Sequence, residues 1–178
     1  ALIIEDKKGL KKNSLLGNKV KQEQESIKDF SNKIKLGKKA CVNKDLMVIA
    51  RIESLILNKG LADAERRADA YLDAGSDAIM IHSKDSNPKE IFKFSNKFKK
   101  KYKDIPLVVV PTSFYRVKES QLIDNGFNMI IYANHLLRAS YPAMQLVANS
   151  ILKNKRTFEI EKKLLSIKEI LKLIPGTT

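Results

Sequence analysis

The chain is 178 residues long, 43% hydrophobic and 30% charged, which is the range of one soluble globular domain and excludes disorder by composition. Its 34 Lys and Arg against 20 Asp and Glu leave a formal net charge of +14, yet the lysines are spread through nearly every segment and the densest run, "KFKKKYKD" (97–104), reads as the solvated end of a helix, so a nucleic-acid partner is not expected. A single cysteine, Cys41, excludes an intramolecular disulfide and suits a reducing compartment, and with no apolar run of membrane-spanning length and no signal-peptide pattern the expected setting is the cytoplasm, without a membrane partner.

The chain opens on "ALII" (1–4), an apolar strand that ends in Glu5 and Asp6 and runs into a lysine-rich loop carrying Asn13 and Ser14. A helix is expected over 22–39. "LMVIA" (46–50) is a second strand, followed by Arg51 and Glu53. The helical stretch 61–75 closes on Gly75, where a left-handed residue is wanted, and leads to the strand "AIMI" (78–81) with His82 and Ser83 after it. Asn87 and Pro88 suit the cap and first turn of a helix over 88–102. "LVVV" (107–110) precedes Thr112, a helix over 117–126 ends at Gly126, and "MIIYA" (129–133) precedes Asn134 and His135. His135 is read as a capping or packing residue at the start of the helix 135–154. "NKRT" (154–157) then breaks the pattern, and Ile160, Leu164, Leu165, Ile167, Ile170, Leu171, Leu173 and Ile174 mark a further amphipathic helix that needs another surface to cover it.

Five βα units with strands apolar on both faces imply an α/β fold with a parallel sheet and helices outside it. An open doubly wound sheet would concentrate its ligand contacts at one switch point, and neither a GxGxxG nor a GxxxxGK[ST] loop is present to mark one. Functional-looking side chains instead follow every strand, as in a (β/α)8 barrel, whose strand C-termini converge on one mouth. A barrel needs about 250 residues. The expected organisation is therefore the C-terminal five βα units of a TIM-type barrel over residues 1–158, with a C-terminal amphipathic helix and tail over 159–178.

"EDK", five residues and then "NS" (Glu5-Asp6-Lys7 to Asn13-Ser14) resembles the signature of phosphoenolpyruvate mutases, barrels of the isocitrate lyase superfamily. The likeness continues through "VIARIE" (48–53), "RRADAYLDAGSDAIMIHS" (66–83), "VVVPTSFY" (108–115), "ANHLLRAS" (133–140) and "SIKEILKL" (166–173), and so covers essentially the whole chain. The first motif is the more specific to mutases; "ARIE" and "AGSDAI" are shared across the superfamily. The resemblance implies a Mg2+-dependent interconversion of phosphoenolpyruvate and phosphonopyruvate. Glu5 would serve the metal directly or through water. Lys11, Asn13, Ser14 and Leu15 would belong to a gating loop, with Asn13 at the migrating phosphoryl group, and Arg51 and His82 would hold the phosphoryl oxygens. Thr112 joins Ser14 and Leu15 on the substrate side. A homo-oligomer, dimer or tetramer with exchanged helices, is implied as well. Where relatives have a large hydrophobic residue and a proline in the loop, this chain has Gly9 and Leu10. The main metal aspartates of such enzymes lie on the first barrel strands, which this sequence lacks, so a chain truncated or excerpted at its N-terminus is expected.

Each of these residues also has a structural reading. Glu5 suits a salt bridge to a neighbouring lysine, Arg51 an ion pair with Glu53 or Glu5, and His82 a hydrogen-bonded core position. No Ser-His-Asp or Cys-His arrangement is legible, and two histidines with one cysteine do not suggest zinc. The alternative activities are phosphonopyruvate hydrolysis, or 2-methylisocitrate-lyase-like cleavage, although lyases usually carry a loop cysteine and residues 1–20 have none. The third alternative is an inactive fragment without a metal site.

Overall fold

The computed structural model of the chain describes residues 1–9, 22–43, 45–174 and 176. Five strands form one parallel sheet: β1 (Leu2–Glu5), β4 (Val48–Ile52), β5 (Ala78–Ile81), β6 (Leu107–Val109) and β7 (Met129–Ile130), in that spatial order. Each strand of the sheet lies beside the next one in sequence, with no reversal of order, which is the arrangement of successive units around a barrel and not of a doubly wound sheet. The sheet is an arc of a (β/α)8-type barrel. β2 (Lys7–Lys8) and β3 (Glu23–Gln24) form a separate antiparallel pair that brings together the two flanks of residues 10–21.

Helices α1 (Ile27–Ala40), α2 (Gly60–Asp73), α3 (Lys89–Lys101) and α4 (Glu119–Asp124) alternate with these strands. The three central strands are apolar on both faces because both are covered. Ala50, Ile52, Ile79, Ile81, Leu107 and Val109 pack outward against Phe30 and Ile34 of α1, Ala68 and Tyr71 of α2, and Phe94 and Phe98 of α3. Ile49, Ala78, Met80, Val108 and Val110 point the other way and form a second cluster with Met47, Ile131 and Ala133, the side that lines a barrel's interior. β1 and β7 each have one neighbour in the sheet among the described residues, and Leu2, Ile3 and Met129 on them are exposed.

Gly75 and Gly126 have φ of +100° and +85°, as their positions after α2 and α4 require. Several boundaries differ from expectation. α1 begins at Ile27 and not at 22, because Ser26 accepts a hydrogen bond from the Asp29 amide and caps the helix, and residues 23–24 are in β3. β4 continues through Ile52, past the apolar run, because Arg51 pairs in register with Glu5 on one side and Met80 on the other. α3 begins at Lys89 with Pro88, not Asn87, at the N-cap position; the Asn87 side chain accepts from the Lys89 amide in the turn that leads in.

Residues 134–178 form a second compact unit, distinct from 1–133. Its long helix α5 (His135–Asn154) has no buried residue, and the apolar stripe expected as one helix over 160–174 is divided into a 3-10 turn (Glu161–Lys163) and α6 (Ile167–Lys172). The division falls where Ser166 and Glu169 form a capping box, which starts a new helix instead of continuing the old one. Met144, Val147 and Ile151 of α5 line an apolar groove with Ile160, Leu164 and Leu165.

Candidate active site at the strand C-termini

Side chains two residues apart on a strand share a face, so the interior face of β4 that carries Ile49 continues through Arg51 to Glu53. On β5 the same alternation runs from Ala78 through Met80 to His82, and on β1 Glu5 lies level with Arg51. Because the strands are parallel, all four residues arrive at the same end of the sheet.

There they form a compact ionic cluster. Arg51 Nε donates to Glu53 Oε1 at 2.7 Å, and its Nη1 lies 3.4 Å from Glu5 Oε2. Lys7 Nζ is 3.1 Å from the other Glu53 oxygen and 4.0 Å from Glu5 Oε1. Both ion pairs expected of Arg51 in a structural reading, with Glu53 and with Glu5, are therefore present. Glu53 is fully buried. Burial raises its carboxyl, but Arg51 and Lys7 outweigh that and hold it below its ordinary value.

His82 is buried beside these charges. Its Nδ1 is shielded from solvent and has no hydrogen-bond partner among the described residues, which disposes of the hydrogen-bonded core reading for that nitrogen. Burial, reinforced by the positive charge of Arg51, pushes its pKa down to about 4. The imidazole is thus neutral near pH 7. An unfolded chain, with an ordinary histidine pKa near 6.5, binds more protons than the native one between that value and about 4. The stability supplied by keeping His82 neutral is therefore complete above pH 6.5 and lost as pH falls to about 4, amounting to about 3 kcal/mol. Urea unfolding of wild type and His82→Gln at pH 7 and pH 4 should show the gap between them change by that amount in favour of the variant at low pH. A gap independent of pH would mean that His82 titrates normally.

Asp6 faces outward instead. It is fully buried, accepts the Glu53 amide at 2.9 Å through Oδ1, and through Oδ2 accepts Tyr71 Oη at 2.7 Å, Gln24 Nε2 at 2.8 Å and Arg67 Nη1 at 3.1 Å. Arg67 Nε donates to Asp63, which also accepts from the Ser54 hydroxyl. Burial raises the Asp6 carboxyl above its ordinary value, against the opposing pull of Tyr71, the Glu53 amide, Arg67 and Gln24. Sequence reasoning found Glu5, Arg51 and His82 but gave no role to Lys7 or to this network. The signal available was the i,i+4 spacing of Arg67 and Tyr71, which places both on one face of α2.

Thr112 lies half-buried in the turn after β6, at the same end of the sheet. Lys11, Asn13, Ser14 and Leu15 lie outside the described residues. Among the described residues no group of three His, Cys, Asp or Glu is arranged to hold a metal. Glu5 offers a carboxylate at this end of the sheet, a donor that fits a hard dication of the Mg2+ type, which characteristically takes one or two carboxylates and keeps several waters. No described helix is long and apolar enough to cross a membrane.

A family model described as phosphoenolpyruvate phosphomutase matches residues 1–152. The chain is 38% identical over 170 residues to the phosphoenolpyruvate phosphomutase of Tetrahymena pyriformis, covering 96% of this chain and 55% of that protein. It is 36% identical over 174 residues to the phosphonopyruvate hydrolase of Variovorax sp. strain Pal2, covering 97% and 59%. The crystal structure of a phosphoenolpyruvate phosphomutase from Streptomyces platensis subsp. rosaceus superposes with a TM-score of 0.88 at 37% identity, over 96% of this chain and 58% of that one. The chain thus spans little more than half the length of the relatives it matches.

Proposed function

The chain belongs to the phosphoenolpyruvate mutase family, and from that premise we propose that the protein it represents is a Mg2+-dependent phosphoenolpyruvate mutase. The observation that carries the reading is the group formed by Glu5, Arg51 and neutral, buried His82, with its unpartnered Nδ1, at the strand C-termini. Phosphorus would leave the enol oxygen of phosphoenolpyruvate and bond to C3, giving phosphonopyruvate, and the reverse. Such a transfer, through a metaphosphate-like transition state, demands positioning and charge on the equatorial oxygens more than a strong base. Arg51 supplies fixed positive charge. His82 supplies a hydrogen-bonding nitrogen without a second charge. Asn13 would contact the migrating group, with Lys11, Ser14, Leu15 and Thr112 enclosing the substrate so that water does not intercept it. Glu5 would hold Mg2+, which when bound supplies Lewis-acid stabilisation of substrate oxygens. The apolar faces of α5 and α6 suit burial against a second copy, so a homo-oligomer with exchanged helices is part of the proposal.

Hydrolysis of phosphonopyruvate is the second reading, favoured by the 36% identity to a hydrolase. The two differ in product. Full-length protein with Mg2+ and phosphonopyruvate, followed by phosphorus NMR, is expected to generate phosphoenolpyruvate. Inorganic phosphate and pyruvate alone would replace the mutase by the hydrolase.

A further inference from the structure

Arg51 is a long side chain with several rotatable bonds, and a cation that must meet a phosphoryl group in one geometry needs something to fix it. Glu53 is fully buried and divides its two oxygens, one toward Arg51 Nε at 2.7 Å and one toward Lys7 Nζ at 3.1 Å. Its own backbone is held with equal care. The Glu53 amide donates to Asp6, the next residue's hydroxyl, Ser54 Oγ, donates to Asp63 at 2.7 Å, and Gln24 reaches both Asp6 and Ser54 Oγ. Asp6 and Asp63 are in turn bridged by the single guanidinium of Arg67, at 3.1 Å and 2.8 Å, and Tyr71 Oη bonds Asp6 at 2.7 Å. A buried ionic cluster of this kind is poor at raising stability compared with apolar side chains of the same volume. Fixing one geometry is what its hydrogen bonds do well.

We propose that Glu53 is a positioning residue, which orients Arg51 toward the phosphoryl group while Lys7 holds its other oxygen, and is itself set from α2 by the Asp6, Arg67, Tyr71 and Asp63 network. The inference rests on Arg51 being a phosphoryl ligand. Glu53 acts through Arg51, and Tyr71 acts at one remove further through Asp6.

The test uses the full-length enzyme, Mg2+ and phosphonopyruvate, and counts substrate consumed, whichever product forms. Glu53→Gln keeps the shape but points a donor at Arg51 or Lys7, and should lower kcat/KM by about 30-fold or more, mostly in kcat. In an Arg51→Ala background the same substitution should change it by less than about 3-fold, because the residue it acts through is gone. Tyr71→Phe, which retains the buried ring, should give a smaller loss that also disappears with Arg51. Equal losses in both backgrounds would overturn the proposal. A second measurement needs no turnover: the Arg51 Nε–H should give a protected NMR signal in wild type that loses its protection in Glu53→Gln and shifts in Tyr71→Phe. An unchanged signal would also overturn it. If wild type consumes no phosphonopyruvate while the signal behaves as expected, the activity assignment fails and the positioning of Arg51 stands.

Discussion

Arg51→Ala is expected to lower kcat/KM for phosphonopyruvate by at least about 10³-fold, the scale on which removing a fixed cation or donor from a phosphoryl or oxyanion site acts. The loss should fall on both KM and kcat, because the substrate's phosphoryl group is anionic before the reaction as well as during it. Two further effects point the same way. The substitution takes from buried Glu53 the donor 2.7 Å from its Oε1, and it removes the cation 3.4 Å from Glu5. Arg51→Lys should recover little, since an ammonium cannot reproduce the Nε donation to Glu53 together with the Nη1 approach to Glu5. Added guanidinium in millimolar amounts should restore part of the Arg51→Ala activity and none of that of Arg51→Lys, whose side chain occupies the space. A kcat/KM within about tenfold of wild type for Arg51→Ala would remove Arg51 from the phosphoryl site and leave it a structural ion pair.

The strands were legible because a sheet covered on both sides demands continuous apolar runs, and "AIMI" is buried at all four positions. Glu5, Arg51 and His82 were legible for a related reason: a polar side chain following such a run, in step with its inward alternation, must emerge at the strand end. The paired β2 and β3 could not be read locally, since two-residue strands of Lys-Lys and Glu-Gln carry no strand pattern and are held by a partner sixteen or so positions away. By contrast, the start of α1 and the interruption before α6 were written in the sequence. Ser26-x-x-Asp29 and Ser166-x-x-Glu169 are both capping signals, and the apolar periodicity on either side concealed them. Asp6 is the instructive residue. Beside Glu5 it looks like half of a carboxylate pair, but alternation turns it to the opposite face, where partners come from positions 67 and 71 on α2, with β2, β3, α1 and β4 between. Long-range polar pairing of that kind leaves no periodic trace.

Asp6→Ala is expected to destabilise the protein by about 3–5 kcal/mol, the cost of removing one partner from a buried ionic network. The carboxylate is the common acceptor for Tyr71, Gln24, Arg67 and the Glu53 amide, so its loss leaves up to four donors to find other partners in a site that solvent does not reach. Arg67 fares least badly, because Asp63 still accepts from its Nε and the Glu25 carbonyl from its Nη1. Asp6→Asn should cost less, since an amide oxygen can still accept the Glu53 N–H while its NH2 meets the other donors unfavourably. Tyr71→Phe alone should cost about 1–2 kcal/mol and clearly less once Asp6 is already Ala, because the hydroxyl then keeps only the bond it accepts from Arg67 Nη1 at 2.7 Å. Urea unfolding of the single and double variants closes this cycle. Additive losses would show that Tyr71 and Asp6 contribute independently, and an Asp6→Ala loss below about 1 kcal/mol would mean that the site admits water readily enough to replace the carboxylate.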